Sequence, residues 1–562
     1  MILFFFVFCS IPLPVWGQSD SKTEFSAEKA YDHIVHLSQK IGPRPAGSKN
    51  EEKAAEYLYY MLEQYGWKVR EQPFSKIVSQ PNPLQPENKI QVINSQNIIA
   101  ELPGKNQESI LLGAHYDSAD ISVPGAVDNA SGVGVLLELA RILGQSEHTD
   151  SYQIVFFGAE EYGLVGSSYY VAQTDISAVR WMLNLDMIGT PLEIDIAGKK
   201  SAPPELVRQV SRIVQNAKIP FHVSRDFMVM TRDGVQGGNS DFSSFLDQGI
   251  PAVGFGIEGR PGGFYHRPED QIEQVSLRDL EKIGNILTEI VHSVQISATG
   301  PRTWDEFYLP FQMGSNVFIL PTFGVRLFFI LVLFFTGFTL LRALKQERSS
   351  SREPLTHYLS IGVALPLAAL FVVALSGTGE FVWQHLKGKE TLWYAFPGII
   401  LAMRIIAAIC LTLLVTIGLL KIPRPNSGKF YWVAGTVLLL LISVILGFYR
   451  IDLAFPFLFW LLCFDLLFFF PNFILIFIGP YFIYKSHWEL LNSQQWVSFY
   501  ETAHQYALVF IVLYALFLIP FFLAGLFIIK KARSSWKKIA LHLPIPAVIG
   551  VLLVVLSTGL IP

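Results

Sequence analysis

The first half of the chain alternates apolar runs of strand length with abrupt polar endings. Residues 110–118 (ILLGAHYDS), 154–163 (IVFFGAEEYG) and 181–189 (WMLNLDMIG) share this design. Each holds enough apolar and β-branched positions for one strand buried on both faces, and each stops at residues that ligate metals or carry protons. Between the first two lies 125–132 (GAVDNASG), a glycine-containing loop that opens a helix over 133–143. In an open α/β sheet, loops converge where parallel strands end. His115 and Asp117, Glu160 and Glu161, and Asp186 are therefore expected at one edge of one sheet. The predicted fold is α/β, a mostly parallel central sheet flanked by helices.

The neighbouring pattern fills in the rest of this domain. Helical spacing over 27–41 stops at Gly42-Pro43, and Ser48 with Glu51 forms a capping box for a helix through Ala54, Leu58 and Leu62. Strands are expected over 68–74 and 97–102, separated by a Pro/Asn/Gln-rich stretch, 79–96. A Gly/Ser-rich loop, 234–245, suits the wall of a substrate pocket. A buried strand is expected over 251–257, then a loop presenting His266, then a helix over 277–294. His33, His36, His148, His222 and His292 lack acidic company of this kind and read as packing or surface residues.

Beyond residue 310 the pattern changes. Apolar stretches at 322–344, 355–375, 392–420, 430–448, 453–470, 471–484, 506–529 and 539–560 are punctuated by basic clusters, as membrane spans are by their loops. A short apolar run with Pro12 and Pro14 precedes Val15-Trp16-Gly17, which fits a signal peptidase site. The expected organisation is a signal peptide over 1–17, a catalytic domain over 18–300, a linker over 301–320 and a membrane domain of about eight spans over 321–562. The leader places the catalytic domain on the extracytoplasmic side of a bilayer. Arg404 and Asp465 fall at membrane depth, where a pair between them would offset their burial.

Composition narrows the chemistry. The net charge of −3 gives no reason to invoke nucleic acid. The three cysteines are Cys9, Cys410 and Cys463, so the catalytic domain has neither disulfides nor thiolate ligands. What it has is acids and histidines. His115 and Asp117 are two residues apart, on one face of an extended chain, as suits a metal-bound imidazole and a supporting carboxylate. Asp128, near a helix start, is placed to bridge two ions. In the pair Glu160-Glu161 one carboxylate would bind metal while its neighbour takes a proton from water. Asp186 is the last acid of the set, and His266 is a further ligand.

These motifs, with the upstream GPRPAGS at 42–48, resemble the di-zinc aminopeptidases of metallopeptidase family 28 over roughly residues 27–296. The resemblance implies that Asp128 bridges two zinc ions, that His115 and Asp186 complete one metal, and that Glu161 and His266 complete the other. It further implies that Glu160 is the general base, that Asp117 supports His115, and that the Asp128-Asn129 peptide is cis. Such enzymes commonly carry Ser-Asp-His in the pocket loop, whereas this chain has Ser240-Asp241-Phe242. The implied function is zinc-dependent exopeptidase action, of aminopeptidase type, on peptide substrates at a lipid bilayer. Two other readings stand beside it: a glutaminyl-cyclase-like acyltransferase, and a receptor or transporter whose ectodomain only binds ligand.

Overall fold

The computed structural model describes residues 24–82, 85–196, 200–223, 240–257, 264–294, 308–313, 315–345, 354–361, 363–365, 367–368, 421, 423, 428–449 and 451–469, with positions 519, 520, 523, 526 and 527. The expected leader lies outside them, as do residues 234–239 of the pocket loop.

Eight strands form one sheet: β1 (Lys68–Asn82), β2 (Gln85–Leu102), β3 (Ser109–His115), β4 (Ser151–Phe157), β5 (Val179–Leu185), β6 (Leu192–Asp195), β7 (Phe221–Val223) and β8 (Ala252–Ile257), in the order β1-β2-β4-β3-β5-β8-β6-β7. The central four, β4-β3-β5-β8, are mutually parallel. The β1/β2, β2/β4 and β8/β6 pairings are antiparallel. Every residue of β3 is buried, which explains its unbroken apolar run. At its centre a Cβ on Gly113 would come within 2.7 Å of both Met182 and Phe157, so the glycine lets two large side chains from neighbouring strands share that space.

Helices cover the sheet. Ala27–Val35 starts at Ser26, whose hydroxyl accepts from the Lys29 amide, and it buries Ala30 and Ile34. Gly132–Gln145 is buried along nearly its whole length, and Leu277–Ser293 adds Leu280, Ile283, Leu287 and Ile290 to the same core. The Ser48 cap behaves as expected on one side, accepting from the Glu51 amide, but the Glu51 carboxylate reaches the Gly47 amide instead of its own cap. That carboxylate is buried and also takes the Ser95 hydroxyl.

Two stretches differ from expectation. Residues 79–96 are not a break between strands, because β1 and β2 stay paired from Lys68↔Glu101 to Asn82↔Gln85. The ribbon needs no apolar alternation where it leaves the sheet, and β1 is an edge strand, where prolines are tolerated. In the stretch read as linker, Tyr308–Met313 and Asn316–Pro321 form a two-stranded hairpin. It is seated on the domain: the Tyr308 hydroxyl donates to the Ala202 carbonyl at 2.7 Å and the Gln312 amide to the Phe221 carbonyl at 2.8 Å.

The hairpin runs directly into helix Thr322–Lys345. Phe323–Ala343 and Lys429–Gly447 are each long and apolar enough to cross a membrane. Helix Ile451–Phe469 packs with them, burying Trp460, Leu461 and Phe464 against Trp432 and Leu439. Arg404 is outside the described residues, so its pairing with Asp465 is too. Within them, Asp465 accepts from the Thr336 and Thr339 hydroxyls. The stretches 392–420, 471–484 and 539–560 also lie outside the described residues.

Candidate metal centre

Three parallel strands deliver the acids. β3 ends on His115, and the Tyr116 amide then donates to the Phe157 carbonyl, so β3 and β4 finish level. Asp117, wholly buried, accepts from the amides of Glu160 (3.1 Å) and Glu161 (3.3 Å) and thereby holds the start of the next loop. Asp186 follows β5 directly, its amide donating to Phe255 of β8.

Asp128 arrives on the loop before helix Gly132–Gln145, across a cis Asp128-Asn129 bond. Asn129 ties that loop to β5. Its amide group donates to the Leu185 carbonyl at 2.8 Å, and its carbonyl accepts from the Gly132 and Met187 amides, both at 3.1 Å.

The outcome is two groups of candidate ligands that share one residue. His115 Nε2 lies 3.2 Å from Asp128 Oδ1 and 3.4 Å from Asp186 Oδ1. His266 Nε2 lies 3.3 Å from Asp128 Oδ2 and 3.0 Å from Glu161 Oε2. Within each group, His115/Asp128/Asp186 and Asp128/Glu161/His266, the ligand atoms fall within 4.8 Å of one another, as a single ion requires. Asp128 turns one oxygen to each. Glu160 belongs to neither group, its Oε2 standing 3.9 Å from His115 Nε2. Asp117 Oδ1 is 3.4 Å from the other ring nitrogen of His115.

Electrostatics explains why a cation fits. Burial pushes Glu160 well above the usual carboxylate range, with Asp186, Asp241 and Glu161 adding to it against His115. Burial likewise raises Glu161 and Asp241. It acts against charge on the two imidazoles, yet the surrounding carboxylates outweigh it. His115 is held well above its ordinary value, and His266 is pushed up to about 11, by Glu161 and Asp128. Asp128 goes the opposite way, down, because hydrogen bonds from the two histidines overcome its burial. Left to themselves, these groups settle their repulsion by taking up protons. A divalent cation in each group would settle it by charge and leave carboxylates ionised and imidazoles neutral. Oxygen and imidazole donors without sulfur suit zinc.

All seven residues expected from the sequence are therefore brought together. Four others were missed. Asn129 is one. Asp241, fully buried and next to Phe242, interacts electrostatically with His115, Glu160 and Asp186. Phe242 itself is a core residue. Arg44 and Asp270 grip the backbone beside Asp128. Among the histidines set aside, His33 is buried and bonded to the Tyr57 and Tyr65 hydroxyls, and His36 stacks on Tyr57.

Residues 97–291 match the model of "Peptidase family M28". "Aminopeptidase YwaD" of Bacillus subtilis is 35% identical over 223 residues, 37% of this chain and 47% of that one. "Endoplasmic reticulum metallopeptidase 1" of Homo sapiens is 28% identical over 296 residues, 49% of this chain and 31% of that one. Among solved structures, BSAP, a zinc aminopeptidase from Bacillus subtilis, aligns at 23% identity over 50% of this chain and 99% of that chain, with a TM-score of 0.41. The chain spans less than half the length of these two curated relatives. The segment that matches peptidase family M28, residues 97–291, carries every candidate ligand.

Proposed function

We propose that the chain is a zinc-dependent exopeptidase of aminopeptidase type, using two zinc ions per chain. The observation that carries this is the sharing of Asp128 between two ligand groups while Glu160 stays outside both. In this reading Asp128 would serve both ions, His115 and Asp186 would hold one, and Glu161 and His266 would hold the other. When bound, the ions would supply Lewis-acid polarisation of the scissile carbonyl and lower the pKa of the attacking water.

The protein's own part is positional and protonic. Glu160 takes the proton of the attacking water and returns it to the leaving amine. Asp117 orients the His115 ring and, through two backbone amides, the loop carrying both glutamates. The names of the relatives support an N-terminal peptide bond as the target. The helices able to cross a membrane support attachment to a bilayer, and the leader-like residues 1–17 support an extracytoplasmic catalytic domain.

The test is metal analysis of the purified full-length chain, coupled to turnover of aminoacyl peptides and N-terminal glutaminyl peptides. Two zinc ions per chain with release of N-terminal residues is the expected result. One ion per chain, unaffected by Asp128→Ala, with cyclisation of glutaminyl substrates, would favour the acyltransferase. Loaded metal without turnover of either would favour a receptor.

A further inference from the structure

Three consecutive backbone amides before and at the shared ligand all point to one residue. The Asp270 carboxylate accepts from the Val127 amide at 2.7 Å and from the Asp128 amide at 3.0 Å, and its main-chain carbonyl accepts from the Ala126 amide at 3.3 Å. The carbonyls of the same segment are held from another side. Arg44, wholly buried, donates to the carbonyls of Pro124 (2.6 Å), Gly125 (2.9 Å) and Tyr116 (2.7 Å). The loop leading to Asp128 is thus gripped through its carbonyls by a cation and through its amides by an anion. Neither charge is among the candidate ligands.

Asp270 also belongs to the loop that carries His266. The Arg267 amide donates to Phe264 and the Asp270 amide to Arg267, both at 3.0 Å, which winds residues 264–270 into tight turns. One buried side chain therefore touches the backbone of one ligand and is tied by a short turn to another.

We infer that Asp270 is a positioning residue that sets the separation of His266 from Asp128, and with it the geometry of the Asp128/Glu161/His266 group. The inference rests on the reading of these residues as metal ligands. The two amides are adjacent in the chain, and each meets a separate oxygen of Asp270. A carboxylate satisfies two adjacent ones and keeps them parallel, which fixes the direction in which Asp128 leaves the backbone. An asparagine in its place offers one acceptor and turns an N–H₂ group at the other amide. That bond is lost and the segment must tilt.

The experiment uses the full-length chain in detergent, stripped of metal and titrated with Zn²⁺ and, for its absorption spectrum, with Co²⁺. Wild type, Asp270→Asn and Asp270→Glu are compared, together with the thermal transition of each metal-free form. The wild type should fill two sites. Asp270→Asn should weaken one of them about 10–100-fold, the scale for residues that orient ligands, with an altered Co²⁺ spectrum for that site and the other affinity retained. Asp270→Glu keeps the charge but lengthens the arm, so it should weaken the same site. Rescue of both affinities by Glu would make the effect one of charge and overturn the assignment. Unchanged affinities in Asp270→Asn, equal weakening of both sites with a lowered metal-free transition, or failure of both variants to fold would overturn it as well. A wild type that fills fewer than two sites would instead refute the two-ion reading, and the inference with it.

Discussion

The two adjacent glutamates offer the sharpest test of the chemistry, because the geometry separates residues that the sequence sets side by side. Glu161 Oε2 lies 3.0 Å from His266 Nε2, inside a ligand group, whereas Glu160 Oε2 stands 3.9 Å from His115 Nε2, outside both. Glu160→Gln keeps the shape and removes the basic oxygen. Neither ligand group loses a donor, so metal content and KM should stay close to wild type. A general base contributes about 10²–10⁴ in rate, which at about 1.36 kcal/mol per tenfold raises the barrier by roughly 3–5 kcal/mol. Because the proton transfer belongs to the transition state, the loss should appear in kcat. Glu161→Gln replaces an anionic donor by a neutral one in a group of three, so zinc content should fall together with activity. The assay is zinc content by elemental analysis and kcat and KM for an aminoacyl peptide, on both variants of the full-length chain. If Glu160→Gln loses zinc while Glu161→Gln keeps it, the assignment of the pair is reversed. If Glu160→Gln keeps both zinc and kcat, the base lies elsewhere.

Three further outcomes are expected. Gly132 sits in helical backbone (φ −61°), where alanine normally gains about 1 kcal/mol, but a Cβ there would lie 2.4 Å from Asn129 Oδ1 and 2.7 Å from the Leu185 carbonyl. Gly132→Ala should therefore destabilise by about 1–3 kcal/mol in denaturant unfolding, and a gain in stability would refute the packing argument. Glu51 is buried, and burial, helped by Asp117, pushes its carboxyl up to about 8 from 4.5. The native state of the metal-free protein then holds a proton that the unfolded chain releases, so stability should fall as pH rises from about 5 to 8. Thermal scans across that range should show a shallower fall for Glu51→Gln, and an equal fall would locate the dependence elsewhere. Finally, the expected count of about eight spans, taken with the proposed export of the catalytic domain, puts Pro562 on the same side as that domain, so an impermeant reagent should reach a tag there in intact cells. A signal confined to the cytoplasm would refute the count.

What the sequence determined by itself was the constellation. His115, Asp117, Glu160, Glu161 and Asp186 are legible because each directly ends a buried apolar run, and parallel strands that end level leave such residues no other place to go. Asp128 and His266 were legible from loop composition and from the acids around them, and the division into a charged half and an apolar half from hydropathy alone. The tertiary structure decided what holds the constellation still. Arg44 acts on carbonyls 72–81 positions away and Asp270 on amides 142 and 143 positions away, and both bind backbone, which looks the same in every residue and so leaves no motif. Asn129 and Asp241 were hidden in the same way, as ordinary polar residues beside better-marked neighbours. The hairpin at 308–321 and the threonines that hold Asp465 were unreadable for a related reason: short strands and hydroxyl donors take their meaning from the surface they meet. Local pattern is enough to say which residues gather at the ends of the central strands. Their spacing is set by hydrogen bonds between segments far apart in the chain, and those exist only once it has folded.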